Sequence, residues 1–273
     1  MNKFIKKLYN SQHHNNSLVC VGLDPNMEKI NQIEDNLLTW LKNIVDAVAD
    51  KVCAFKPQIA YFSAISAENE LQRIIAYIHE KYPNIPVILD AKRGDIGTTA
   101  TQYAKEAFEI YQADAVTLNP YMGHDTLQPF LEYEDKGVIV LCKTSNAGSD
   151  EFQNLTLENG QTLFQQVAHN AAHNWNGNNN VLLVVGATYP QELAKIRSIV
   201  GEMPLLIPGI GAQGGDVAAT LKAGLNSNPE KSGLIISSSR GIIHAGDKPN
   251  NYSQKANDAC VRLNKQINNY WSI

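Results

Sequence analysis

The chain has 273 residues, 44% of them hydrophobic and 18% charged, with a formal net charge of −4, the profile of a soluble globular enzyme long enough to bury a sizeable core. A negative balance with no basic run or basic-aromatic patch excludes non-specific nucleic-acid binding, so any anionic ligand has to be held by local positive groups. The start, Met1 to Leu8, lacks the continuous apolar core of a signal peptide and no later apolar run approaches ~18 residues, so a cytoplasmic protein without membrane contact is expected.

In chain order, an amphipathic helix carrying Phe4, Ile5 and Leu8 and a polar spacer come first. Leu18 to Leu23 then reads as a buried strand ending at Asp24-Pro25, followed by a helical pattern through Leu37, Leu38, Leu41, Ile44, Val45 and Val48. The cycle repeats. Val52 to Phe55 ends in Lys56-Pro57, and a helix with Leu71, Ile74, Ile75 and Ile78 leads to the strand Ile85 to Leu89. Ala113 to Leu118 ends in Asn119, Gly137 to Cys142 in Lys143-Thr-Ser145, and Val181 to Val185 in Gly186. Pro204 to Ile207 ends in Pro208-Gly209-Ile-Gly211, Leu234 to Ile236 in Ser237-Ser-Ser-Arg240, and a last helix lies near Asp258 to Ile267.

Eight apolar strand runs, each followed by a helix-length segment at intervals of about 30 residues, give the βαβ rhythm of a parallel sheet. Eight units predict an α/β fold of the (β/α)8 TIM-barrel class. An open doubly wound sheet is the alternative, but the first strand lacks the glycine-rich turn of a dinucleotide site. No compositional break marks a second domain. Residues 1–273 are taken as one barrel domain, with 1–17 as helix and spacer, 18–245 as core and 246–273 as C-terminal helix. Cys20, Cys53, Cys142 and Cys260 fall in apolar settings without Cys-x-x-Cys spacing and read as small buried hydrophobes.

The central stretch is Val87-Ile-Leu-Asp90-Ala-Lys92-Arg-Gly94-Asp95. Asp90 and Lys92, two apart at a strand end, are expected on one side. Asp95 lies past Gly94, where the chain can turn, and two placements are open: folded back over the pair, or reaching into another subunit. A lysine between two carboxylates is favoured as the ammonium, which describes a proton donor. The blander reading is an ion pair closing a strand end. Barrels of this kind carry their working residues at the C-terminal strand ends. Those ends here hold Asp24, Lys56, Asp90, Lys92, Asn119, Ser145, Gly209, Gly211 and Arg240, which favours a catalytic face.

The segment from Pro208 to Asp216 is glycine-rich and leads into a helix, so backbone N–H groups and the helix dipole are expected to meet an anion there. Arg240, ending the neighbouring strand, adds a fork suited to phosphate oxygens. Asn146 to Gly160, longer and more polar than the other connections, reads as a loop over the mouth. His124 lies on the catalytic side and reads as a solvated loop histidine; the other histidines show no metal-ligand spacing, and His169 and His173, one turn apart, read as surface.

Gly22-Leu-Asp24-Pro, Phe55-Lys56-Pro, Asp90-Ala-Lys92-Arg-Gly-Asp95-Ile-Gly, Asn119-Pro-Tyr, Thr144-Ser145-Asn, Pro208-Gly-Ile-Gly-Ala-Gln213-Gly-Gly and Ser239-Arg240-Gly together resemble orotidine 5′-phosphate decarboxylase, the longer bacterial subfamily. The resemblance spans Leu18 to about Ala245. It implies a homodimer across the catalytic face that converts orotidine 5′-phosphate to UMP and carbon dioxide, the last step of de novo UMP synthesis, with no cofactor; no metal is expected either, because no His/Asp/Glu cluster has ligand spacing and Lys56 occupies the position a metal would need. It implies that Lys92 protonates C6 within a network of Lys56, Asp90, Lys92 and an Asp95 donated across the interface. It further implies that Asp24 and Lys56 hold the ribose with a donated Thr99, that Ser145 meets the pyrimidine edge, and that Gln213 and Arg240 close on phosphate beside Gly209 and Gly211. Ala147 departs from the proline common in the family. Two rivals are a metal-dependent sugar-phosphate decarboxylase or aldolase, whose acidic ligand position is here Lys56, and a phosphate-binding protein without catalysis.

Overall fold

The computed structural model describes residues 1–34, 36–210, 215–226, 228 and 232–271. Its parallel strands are β1 Val19–Leu23, β2 Ala54–Pro57, β3 Ile88–Arg93, β4 Ala115–Leu118, β5 Gly137–Lys143, β6 Val181–Val185, β7 Leu205–Pro208 and β8 Leu234–Ser238. Each strand lies beside the next, and β8 returns to β1 with Val19 opposite Ile236. Strands β2 and β3 meet through the bridges Phe55–Val87 and Gln58–Asp90, so the ring is nearly closed. The principal helices following the eight strands are Leu37–Val48, Glu68–Lys81, Gly97–Lys105, His124–Leu131, Leu163–His173, Pro190–Val200, Val217–Gly224 and Tyr252–Asn268, which makes the fold a (β/α)8 TIM barrel.

The strands read as unbroken apolar runs because both of their faces are covered. On β1, Val19, Val21 and Leu23 belong to the layer between barrel and helices, while Cys20 points inward to join Ala54, Ile88, Ala115, Ile139, Leu182, Leu206 and Ile235. All four cysteines are buried free thiols. No helix among the described residues is long and apolar enough to cross a membrane.

The N-terminal helix, Lys3–Asn15, is longer than its apolar pattern suggests and takes up most of the expected spacer. Phe4, Ile5, Leu8 and Tyr9 pack into the inward-facing cluster and close the barrel at its N-terminal end. A side chain on Gly137 would overlap the Phe4 ring, which explains a glycine at the start of β5. Gln12 is buried because its amide donates to the Leu234 carbonyl at 2.8 Å. With that helix packed against the N-terminal end, the cavity described below lies at the C-terminal strand ends. The last helix likewise starts earlier than expected, at Tyr252, whose hydroxyl accepts from Asn43 at 2.6 Å.

Candidate active site

The third strand is displaced from its expected position. It begins at Ile88 rather than Ile85 and continues through Arg93, so Asp90 and Lys92 lie within it rather than beyond its end. Lys56 Nζ donates to Asp90 Oδ2 at 2.8 Å and Lys92 Nζ donates to Asp90 Oδ1 at 2.6 Å. Lys56 and Asp90 are buried, whereas the Lys92 side chain keeps 43% of its surface. The result is an alternating chain of charge whose last cation faces the open mouth.

Burial alone would push the Asp90 carboxyl up; Lys56 and then Lys92 outweigh it and hold the group well below the usual carboxylate range. For Lys56, burial would lower the ammonium's pKa, but Asp90 and next Asp24 raise it above the ordinary lysine value. Both groups therefore keep their charge in the folded protein. The β3 backbone is irregular where it carries them: pairing with β4 slips between Leu89 and Arg93, and Lys92 takes φ +48°. Thr117, on β4, is buried beneath this slip and bonds Ala91, Lys92 and Asp90.

These residues form one wall of a cavity of ≈ 600 Å³, a size that suits a nucleotide. The opposite wall comes from the segment after β5, including Ser145, Asn146, Ser149 and Phe152. Gly186 lets Ser145 come close, since a methyl there would stand 2.8 Å from the serine Cβ. The expected open loop is more ordered than its polarity suggests, with short helical turns at Ala147–Ser149 and Asp150–Gln153. Lys143 fastens it. Its fully buried ammonium donates to Ser149 Oγ at 3.0 Å and to Asp150 Oδ1 at 2.5 Å, and lies 4.7 Å from the Tyr189 ring. The Gln153 amide accepts from Thr144 N–H at 2.8 Å. Ala147 thus starts a 3-10 turn.

Asp24 follows β1, and its Oδ1 is shielded without a hydrogen-bond partner among the described residues. Thr188 Oγ1 and Ser239 Oγ share that condition. Gly209 has φ +102°, a backbone that disfavours any side chain. Asp216 caps Val217–Gly224, and its carboxylate accepts from the N–H groups of Ala218 and Ala219, so those two donors are bonded within the fold. Gly211 and Gln213 lie outside the described residues. Arg240 opens a short helix, Arg240–Ile243, and is exposed; its carbonyl accepts from the His244 N–H, while its side chain makes no hydrogen bond or ion pair with a described residue.

Asp95 does not fold back over the pair. Its Oδ1 accepts from the N–H of Ile96 at 2.8 Å, and it makes no ion pair with a described residue. Thr99 is exposed in the next helix, and the rim around both carries exposed apolar side chains: Ile96, Tyr121, Met122 and Phe152. His124 begins the helix His124–Leu131 rather than lying in a loop, is exposed, and stacks on Trp175 at 6.1 Å. His169 and His173 are exposed neighbours. Sequence reasoning missed Thr117 and Lys143; the signal for Lys143 was the apolar-strand-then-lysine pattern it shares with Lys56.

The sequence model of the "Orotidine 5'-phosphate decarboxylase / HUMPS family" matches residues 17–254. The orotidine 5′-phosphate decarboxylase of Janthinobacterium sp. (strain Marseille) is 52% identical over 271 residues, covering 98% of each chain. That of Dechloromonas aromatica (strain RCB) is 52% identical over 271 residues, covering 98% of this chain and 99% of the relative. Among solved structures, Leishmania donovani OMP decarboxylase superposes with a TM-score of 0.83 at 39% identity, over 97% of this chain and 99% of that one. Leishmania donovani UMP synthase gives 0.86 at 41% identity, over 98% of this chain and 56% of its own.

Proposed function

The chain belongs to the orotidine 5′-phosphate decarboxylase / HUMPS family, and on that premise we propose that it is a carbon–carbon lyase converting orotidine 5′-phosphate to UMP and carbon dioxide. The reaction is the last step of de novo UMP synthesis, needs no cofactor, and belongs to a cytoplasmic enzyme. Residues 1–273 act as one barrel domain, with the helix and spacer of 1–17 at the closed end of the core of 18–245 and the C-terminal helix in 246–273.

The observation that carries this reading is the Lys56–Asp90–Lys92 chain at the cavity wall. As the bond from C6 to the carboxylate breaks, its electron pair stays on carbon and carbon dioxide departs. The Lys92 ammonium stabilises that charge and then gives its proton to C6, leaving a neutral amine that water reprotonates. Asp90 repels the substrate carboxylate by about 3 kcal/mol at most for charges ~5 Å apart at an effective dielectric near 20. That is too small for a large acceleration, so the weight falls on charge fixed before the substrate arrives and on grip energy from the phosphate.

In this reading Asp24 and Lys56 hold the ribose, Ser145 meets the pyrimidine edge, and Arg240 and Gln213 grip the phosphate with Gly209 and Gly211 beneath it. Asp95 of the partner subunit completes the charge network and Thr99 of the partner subunit lies near the ribose. The exposed apolar rim of Ile96, Tyr121, Met122 and Phe152 supports a homodimer across the mouth. A metal-dependent reaction would need an acid where Lys56 stands, and a buried cation there repels a divalent ion.

The test is direct. Purified protein in EDTA is given orotidine 5′-phosphate while its near-ultraviolet absorbance and UMP are followed. Stoichiometric loss of absorbance with UMP formed is expected; no turnover, or turnover abolished by EDTA and restored by magnesium, would overturn the reading.

A further inference from the structure

Between Leu89, opposite Val116, and Arg93, opposite Leu118, four steps along β3 run beside two along β4. Such a slip strips N–H groups of ladder acceptors, and a buried donor left unmatched is costly. It also allows Lys92 its left-handed φ of +48°, a conformation a long side chain ordinarily avoids. Something has to hold the backbone there. Thr117 is 1% exposed and on the inward side of β4, between Val116 and Leu118, which pack outward. Its Oγ1 accepts from the N–H of Ala91 at 3.0 Å and of Lys92 at 2.9 Å, and donates to Asp90 Oδ1 at 2.9 Å.

A hydroxyl has one proton to give and two lone pairs. Here all three are used, and all three on the segment that carries the charge cluster. Asp90 Oδ2 is fixed by Lys56, and Oδ1 receives Lys92 and Thr117 together, which sets the carboxylate plane. A β-branched residue is stiff at χ1, so the clamp is rigid. We infer that Thr117 is a positioning residue: its hydroxyl replaces the missing ladder acceptor, holds the left-handed backbone at Lys92, and aims Asp90 so that the Lys92 ammonium points into the cavity. The inference deepens the decarboxylase reading and rests on it for its effect on rate.

The experiment compares Thr117→Val, which keeps the shape and removes the hydroxyl, with Thr117→Ser, which keeps the hydroxyl. Expected for Thr117→Val is a thermal midpoint lowered by about 2–10 °C as two N–H groups lose their acceptor, a kcat lower on the order of 10- to 100-fold and a KM changed less than about threefold, with Thr117→Ser restoring most of the rate and of the midpoint. A kcat for Thr117→Val within about threefold of wild type, or equal losses in the valine and serine variants, would overturn the inference. If Thr117→Val does not fold, Thr117→Ala against Thr117→Ser decides, since both lose the methyl and only alanine loses the hydroxyl. Amide exchange at Ala91 and Lys92, measured without substrate, separates this from the functional reading. It should quicken in Thr117→Val even if the wild type fails to decarboxylate, and unchanged exchange would show that the hydroxyl clamps nothing.

Discussion

The two sides of the barrel mouth treat buried polar groups in opposite ways. Along β2, β3 and β4 they satisfy one another: the buried Lys56, Asp90 and Thr117 are joined by hydrogen bonds, and the more exposed Lys92 adds its ammonium to Asp90. Along the ends of β1, β6 and β8, Asp24 Oδ1, Thr188 Oγ1 and Ser239 Oγ are shielded without a partner among the described residues, and Arg240 reaches outward. A buried polar atom costs free energy unless it is bonded. The first side meets that cost within the fold; the second leaves it unmet among the described residues, and on the proposed reading it is relieved by what binds. On the decarboxylase reading proposed above, chemistry is built in on one side and grip is completed on the other.

Substitutions should therefore differ in kind. Asp90→Asn, on the prearranged side, removes the hub and leaves Lys56 buried with its paired charge gone. Its expected cost is about 3–5 kcal/mol in urea unfolding, with kcat lower by on the order of 10³-fold or more. Unchanged stability would mean that the fold does not depend on the pairing of Asp90 with its lysines. Arg240→Ala, on the open side, should leave the urea midpoint where it is and lower kcat/KM for the nucleotide about 100-fold, with little effect on the phosphate-free nucleoside. Equal losses on both substrates would make Arg240 structural and blur the distinction between the two sides.

The smallest effect concerns pH. Asp90 is held below its ordinary value, so the stability it contributes is present above the unfolded value near 4 and is lost as pH falls through the lower folded one. Lys56 is held above its ordinary value, so its contribution is complete below about 10.4 and is lost as pH rises through the folded value. Between about pH 5 and 9 neither group changes charge, and kcat at saturating substrate should vary less than about threefold. A tenfold limb inside that window would contradict a fixed charge state for this pair.

The contrast also explains what the sequence makes legible. Strand runs such as Val181 to Val185 announce a parallel sheet because both faces must be apolar, and their number announces a barrel. Asp90 and Lys56 stand out as charges ending such runs. The extent of β3 is hidden, because its second half is held by Thr117 and the slip against β4 rather than by propensity. Lys143 is hidden for a similar reason: its partner Asp150 comes from a polar segment whose short turns form around it. The capping of Val217–Gly224 by Asp216 is legible as an Asp before a helix and takes up two of that helix's N-terminal N–H groups.

On the proposed reading, one chain carries the prearranged charge cluster except for its last acid, Asp95, whose side chain takes only the Ile96 N–H in its own chain among the described residues. Lys92→Ala and Asp95→Ala proteins should each be nearly inactive. After unfolding and joint refolding, random pairing makes about half the dimers mixed, and each mixed dimer has one site with both groups, so about a quarter of all sites should be intact. Activity rising toward a quarter of wild type on mixing is the predicted result. Activity that stays at the level of the single variants, although subunits demonstrably exchange, would contradict a shared site and return Asp95 to its own chain.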